Sequence, residues 1–509
     1  MAKTLRGHPP AIIDRFGGLW RRGDIDTTPL DHFADCENLR FPTDQNFMTR
    51  DGIGISQDVA VPLENVRRIY NYNNQTTNGL LVLTIEYGID SEIGRIYHVV
   101  NSTTVFGPLL TIDGMSDFAF APYGGRAYIS PFASFVAGDL LIEKGLEDEF
   151  VYVYAGDGTA ARKAAGVPLV GNMTIANGAA GNTDAGLHIF GFVAETISGF
   201  LTRPGLLETF TTSATSSVSF GSIPTSGDPN VVRRHLVASK VITGYNGNLE
   251  GYQLFFVPNA TIPNNTDTFL NDISFFDQDL LDDASHLLDN YTEIPAVATL
   301  SIFHERLVAG ATFDDINLCL VSARGEPEAI SQIDGILTVQ PDGNPITNFQ
   351  ELRDIGYLFK RTRAVAYVDN GDEPSTWEPV IVDNALGTCV HGIATVLDSG
   401  SASIDYLIVC TYQGISLFNG KFIDPEISWK IEDYWGELDR TLYGRLQIVN
   451  APVQMEIYVV LTTKKLLVGN YSNGMEAKKI RWCPWSFRSN VNTVAIANID
   501  EIIIGADIA

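Results

Sequence analysis

Short runs of β-branched and aromatic residues, each closed by Gly, Asn or Asp, recur along nearly the whole chain, and this recurrence restricts the fold more than any other feature. "GLLVLTIEYG" (79–88) and "GRIYHVVN" (94–101) flank a polar turn, and "DFAFAPYGGRAYISPF" (117–132) reads as two strands about Gly124 and Gly125. The pattern returns in "EFVYVYAGDG" (149–158), "VATLSIFHERLVAGAT" (297–312), "DYLIVCTYQGISLFNGKFI" (405–423) and "TVAIANIDEIIIGAD" (493–507). Such runs are strands joined by tight turns. Amphipathic helices are few, and "DDASHLLDNY" (282–291) is the best candidate.

The strands group into units of about 40–50 residues, the size of a four-stranded blade. A lone four-stranded sheet leaves its edges and one apolar face in water, whereas radial packing of several sheets covers them. The pattern therefore predicts an all-β protein, a β-propeller of six blades with seven as the alternative. An ordinary pair of β-sandwiches is the competing arrangement. The C-terminal runs "TVAIAN" and "EIIIGAD" are expected to pair with strands near 62–100 and close the ring. Residues 166–290 break the rhythm: they are richer in Thr, Ser, Gly and Asn, and strands come every 10–15 residues, as in a sandwich. The expected division is 1–61 as an N-terminal segment making ring or platform contacts, 62–165 and 291–509 as the propeller, and 166–290 as an inserted β-sandwich.

The chain has 509 residues and a net charge of −27, with 45% hydrophobic residues, which is a globular composition. An acidic surface of this kind repels nucleic acid at long range, so it argues against a protein that grips DNA. It is compatible with a surface past which DNA slides without sticking. No run of 18 apolar residues is present, and the N-terminus "MAKTLRGHPPAIIDRFGG" has no apolar core of a secretory signal, so synthesis in a cytoplasm is expected. Five widely spaced cysteines without a CxxC fit neither a disulfide framework nor a zinc site.

The search for chemistry yields little. HExxH, GxSxG, phosphate-loop and dinucleotide-loop patterns do not occur. His304, read as a strand residue beside Glu305 and Arg306, is expected to be structural. The acidic run 277–283 lacks the Gly and closing Glu of a calcium loop and reads as a solvated linker leaving the insert. No catalytic, metal or cofactor residue is therefore assigned, and the expectation is that the chain is not an enzyme.

Two resemblances add to this reading. "SGFLTRPG", "RRHLVASKVI" and "TDTFLNDISFFDQDL" resemble parts of a fibronectin type III module, which implies a fibronectin/Ig-like fold for the insert. "RFGGLWRRGDIDTTPLDHFADCENLRFPTDQNFMTRDGIG" resembles the N-terminus of tail proteins of short-tailed bacteriophages, with matching positions at Gly17, Gly18, Asn38, Arg50 and Gly52 and with "RDG" where the family has Arg-Pro-Gly. "LSIFHERLVAGATFDDINLCLVSARGEPEAI" is similar to a blade of the same family through Arg306, Leu307, Ser322, Gly325 and Pro327. "DYLIVCTYQGISLFNGKFI" followed by "ISWKIEDYW" is similar to another.

The second resemblance implies a structural virion protein, the tail nozzle or tail-tube ring. It implies a homo-oligomeric ring, most often a hexamer, next to a portal-adaptor protein and docking a tail fibre or spike protein. Double-stranded DNA would pass through a lumen in which acidic side chains outnumber basic ones, during genome ejection from the virion tail. Asn38, Arg40, Arg50 and Gly52 are the candidate inter-subunit contacts, Arg40 and Arg50 as forks for carboxylates of a neighbour. Packing of 34–54 on its own subunit is the alternative. A propeller that binds or hydrolyses host-surface glycan is the competing function, and a trimeric receptor-binding protein is a third.

Overall fold

The computed structural model of the chain describes residues 38–506 except 44–45, 50–64, 75–76, 88–91, 102–103, 138–139, 166–168, 170, 197–198, 227–230, 384, 398–403, 421–422, 437, 439, 476–478 and 498–500. Seven strands stand around one axis and line a common channel: Val66–Asn73, Asp117–Tyr123, Val297–Phe303, Ile346–Leu352, Ile393–Leu397, Gln447–Ala451 and Val491–Ala497. Each begins an antiparallel sheet that runs outward. Blades 1, 4, 5 and 6 have four strands each, blade 2 has five, blade 3 has three and blade 7 has two. Among the described residues this is a β-propeller of seven blades, the alternative count and not the expected six, because Val491–Ala497 and Glu501–Ala506 form a blade of their own.

Both faces of a blade are covered by its neighbours. Its second strand therefore reads as a near-continuous apolar run instead of an alternating one, as in Leu80–Leu83, Leu407–Cys410 and Ile457–Val460, all buried. The tight turns follow local backbone demands. His304 is not inside a strand: with Glu305 it forms the two-residue turn between Phe303 and Arg306, at φ 45° and 63°. Arg353 and Asp354 form the equivalent turn in blade 4 at φ 54° and 61°. Positive φ at both central residues is the hairpin geometry that matches strand twist.

The C-terminal strands do not pair with blade 1, as the sequence led us to expect. Val491–Ala497 and Glu501–Ala506 pair with each other and make a blade of their own. Val491 and Val494 pack on Tyr458, Leu466 and Trp485 of blade 6, while Ala495 and Ala497 pack on Ile69, Leu80 and Val82 of blade 1. A strand apolar on both sides is better served between two blades than at the edge of one. The ring closes there through side chains: Ile69 donates its backbone N–H to Thr493 Oγ1 at 3.2 Å, and Asn492 donates to the Val66 carbonyl at 3.1 Å.

The insert enters and leaves through the outer edge of blade 2. Before it, Ala164 donates its backbone N–H to the Val151 carbonyl at 2.8 Å. After it, Ile294 accepts from the N–H of Val151, also at 2.8 Å. Both ends therefore meet at one residue, and the outer strand of blade 2 is assembled from both sides of the insertion. Arg162 forks onto the buried Glu328 at this junction, with two 2.9 Å bonds, and holds blade 2 to the tail of blade 3.

Between these ends, Thr174–Thr183, Ser216–Gly221 and Leu270–Ile273 form one sheet, and Gly205–Thr212, Gly186–Thr196, Val231–Ala238 and Phe255–Ile262 form the other. The chain leaves the second sheet for Ser216–Gly221 and returns to set Val231–Ala238 beside Gly186–Thr196, a Greek-key crossing of the immunoglobulin type. Phe190, Phe192, Val218, Phe220, Leu236 and Phe275 fill the space between the sheets in a core separate from that of the propeller. The stretch 282–291 is not an α-helix. Only Ser285–Asp289 winds, as a 3-10 turn, because one buried leucine, Leu287, anchors it among acidic neighbours.

Replacing residues 167–289 by a short Gly/Ser bridge is expected to leave a soluble propeller with a single cooperative thermal transition. Insolubility under mild conditions would show that the sandwich belongs to the main core. Truncation before Val491 removes blade 7 and bares Tyr458, Trp485, Ile69 and Val82, so aggregation in a light-scattering assay is expected. A soluble truncation of unchanged stability would contradict closure by these strands.

Candidate functional site

The channel along the propeller axis has a volume of about 430 Å³. Its described lining contains no Asp, Glu, Lys or Arg, and His391 is its single imidazole. Three of its amides, those of Asn348, Asn450 and Gln447, join blades. Asn348 of blade 4 donates to the Val390 carbonyl at 2.6 Å, and Asn450 of blade 6 donates to the Thr395 carbonyl of blade 5 at 3.0 Å. Gln447 of blade 6 donates to the Val494 carbonyl at 3.1 Å and accepts from its N–H at 3.0 Å, reaching blade 7. A cavity of this volume is on the scale of a small-ligand pocket.

Charge collects at the end of the channel where the inner strands begin. Arg68, near the start of the blade 1 inner strand, forks onto Asp117 at the start of the blade 2 inner strand, with Nη2–Oδ2 at 2.5 Å and Nε–Oδ1 at 3.1 Å. Both side chains are buried. Burial works against both charges, yet each partner outweighs it: Asp117 holds the guanidinium pKa above its ordinary value, and Arg68 with His391 holds the carboxyl well below the usual range. His391, just before blade 5, is held below its ordinary pKa by burial and then by the Arg68 charge. Its Nδ1 lies 2.9 Å from the Tyr70 hydroxyl. If that hydroxyl donates, the ring proton sits on Nε2, 3.3 Å from Asp117 Oδ2. Asp117 thus bonds blade 1 from blade 2 and faces the entry to blade 5, although His391 Nε2 completes no hydrogen bond by geometry among the described residues.

Glu143, on the strand Leu140–Gly145 of blade 2, lies in the same buried region beside Cys389 and Arg361. Burial pushes its carboxyl up to about 7, although Arg361 pulls the other way. Its Oε1 has no hydrogen-bond partner among the described residues. A raised carboxyl favours the folded state fully below the unfolded pKa near 4.5, and that contribution is lost as pH rises through about 7. Asp117 works in the opposite sense: its contribution is present at neutral pH and is lost in acid. Glu143→Gln is therefore expected to match the wild type in thermal or urea unfolding near pH 4.5 and to exceed it by ~3 kcal/mol at pH 8. Equal stability of the two proteins at both pH values would refute the account of Glu143.

The candidate contact residues of the N-terminal segment divide into two groups. Arg50 and Gly52 lie outside the described residues. Asn38 and Arg40 are described, and their partners belong to the same chain. Arg40 makes the forked carboxylate contact expected of it, but with Glu456 of blade 6, at 3.1 and 3.0 Å. Asn38 exchanges bonds with the outer strand of that blade, donating its N–H to the Pro484 carbonyl at 2.9 Å and accepting from the Ser486 N–H at 2.9 Å. Trp485 donates its indole N–H to the Leu39 carbonyl at 3.1 Å. The hairpin Leu39–Thr43 and Asn46–Thr49 is thus anchored on the periphery of blade 6. Within the chain Asn38 and Arg40 pack on their own subunit, the arrangement given above as the alternative.

His304 stacks on Phe303 with ring centroids 4.2 Å apart and sets Nδ1 3.6 Å from the buried Asp369. Its Nε2 faces Glu351 and Asp354 at 3.9 and 4.0 Å. These three side chains could in principle hold a metal ion, but Asp354 is 92% exposed at a hairpin tip, which is the ordinary setting of a solvated carboxylate. The blade-joining contacts themselves carried no sequence signal, because their partners lie tens to hundreds of residues apart, as Ile69 and Thr493 do.

No family model matches the chain, and no curated protein matches it. Among solved structures the chain is similar to one titled Kluyveromyces lactis Hsv2 complete loop 6CD, at 12% identity, covering 83% of this chain and 97% of that one with a TM-score of 0.26. A superposition this loose has no bearing on function, and the propeller assignment stands on the ring of inner strands.

Proposed function

We propose that the chain is a structural protein of a short-tailed phage virion, the nozzle of the tail, whose copies form a ring beneath the portal-adaptor protein and dock a tail fibre or spike. The reading rests on the resemblance of the N-terminal segment to that family. The observation that supports it is the placement of that segment: its Asn38–Arg40 stretch lies along the outside of blade 6. That stretch is thus on the periphery of the propeller, where a neighbouring copy would pass. The sandwich leaves blade 2 on its outer edge as well. The propeller between them has an axial channel whose described lining carries no Asp, Glu, Lys or Arg, and the buried Arg68–Asp117 pair at its end joins two blades. In this reading the passage for DNA runs between copies, not along the axis of one propeller.

A glycan hydrolase would need two carboxylates facing one cavity; the described lining of the axial channel supplies none, so that reading would turn on the cavity of the sandwich, which Glu195, Asp279 and Asp282 line. Negative-stain images of the purified protein decide between the readings. A closed ring, most simply sixfold, is expected, with a lumen richer in Asp and Glu than in Lys and Arg and without salt-sensitive binding of duplex DNA. A stable monomer that cleaves or retains glycan would overturn the proposal.

A further inference from the structure

The outer face of the sandwich carries a second cavity, of about 610 Å³, which the nozzle reading does not use. Phe256 and Leu201 form its apolar floor, and Leu281 stands beside them 82% exposed. A leucine left this far in water next to a half-buried phenylalanine is apolar surface without a partner. The acidic segment is strapped along this face: the Phe256 N–H donates to the Asp282 carbonyl at 2.9 Å, and Phe255 bridges Asp283. Asp279 and Asp282, both exposed, then line the opening together with Glu195. From Asp277 to Asp289 the sequence contains five Asp and no Lys or Arg.

The back wall is fixed. His235 Nε2 lies 2.7 Å from Glu195 Oε2 and Nδ1 lies 3.0 Å from Thr261 Oγ1, so the ring is held from both sides. Its edge meets Phe256 at 5.9 Å and 83°. Arg233 reaches the other oxygen of Glu195 from outside the cavity, at 3.3 Å. No Lys or Arg is among the described lining residues.

We infer that this cavity takes a basic side chain, an arginine by preference, presented by a partner protein. The charge complementarity is direct. An aliphatic stem can lie on Phe256, Leu201 and Leu281 while a cationic head reaches the carboxylates of Asp279 and Asp282. The planar guanidinium adds two advantages over an ammonium: it stacks on an aromatic face and bonds carboxylates in pairs. A neutral polyol would leave the acidic rim without a counter-charge. The cavity requires no ring assembly, so a monomer in the images would leave it standing.

Saturation-transfer NMR on the full chain tests this with N-acetyl-arginine methylamide and its neutral isostere N-acetyl-citrulline methylamide. Millimolar binding of the arginine compound is expected, with saturation strongest on its side-chain methylenes and with the citrulline compound about 5-fold weaker. The double variant Asp279→Asn, Asp282→Asn should weaken the arginine compound by about the same factor, since it removes the same charges. Asp354→Asn, an exposed carboxylate elsewhere, should change nothing. Equal binding of the two compounds, no transfer at about 20 mM, or a double variant that binds as the wild type does would each overturn the inference. Preferential binding of a methyl glycoside would overturn it in favour of a sugar site.

Discussion

Everything in this propeller depends on how seven separate sheets are kept from sliding past one another, and the carboxylate of Asp117 carries the heaviest part of that task. It binds Arg68 of blade 1 through a buried fork and faces His391 at the entry to blade 5. Other polar contacts continue around the ring. Ser130 bonds the Val297 backbone between blades 2 and 3, Lys360 reaches Asn317 between blades 4 and 3, and Asn348, Asn450, Gln447 and Thr493 join the rest. Apolar packing between blades is not directional and tolerates small rotations, whereas a buried hydrogen bond does not. A buried ion pair adds little net stability by itself, but breaking it strands a charge at a cost of about 3–5 kcal/mol.

A ring fixed in this way leaves its periphery for other work. The N-terminal hairpin rests on blade 6, and the sandwich departs from the split outer strand of blade 2. Neither addition disturbs an inner strand. The propeller can thus bear modules whose sequences are constrained only where they join it, as at Val151 and Glu456.

The repeated strand runs made the all-β propeller legible, because burial on both faces writes an unbroken apolar run such as Leu80–Leu83 into blades 1, 5 and 6. The change of strand spacing likewise revealed a sandwich between propeller segments. Blade 7 was harder: Val491–Ala497 looks like any edge strand, and only the cores on its two sides show that it stands alone. His304 and Glu305 lack the Gly or Asn that usually marks a two-residue turn, so the turn was hidden inside an apparent strand. The axial contacts were invisible for a different reason. Asn, Gln and Thr at single positions are common, and what makes Asn348 or Gln447 matter is a partner brought near by ring closure. Arg40 could be read as a fork seeking a carboxylate, but not whose carboxylate it would find.

The claim that Asp117 bonds blade 1 from blade 2 and faces the entry to blade 5 is open to one direct measurement, hydrogen–deuterium exchange of the Asp117→Asn variant followed by mass spectrometry. The substitution keeps the shape of the side chain and removes the charge that Arg68 and His391 face. The account predicts faster exchange, rising together, in segments 66–73, 117–123 and 393–397, which lie in blades 1, 2 and 5. Faster exchange confined to 117–123, or none at all, would contradict it.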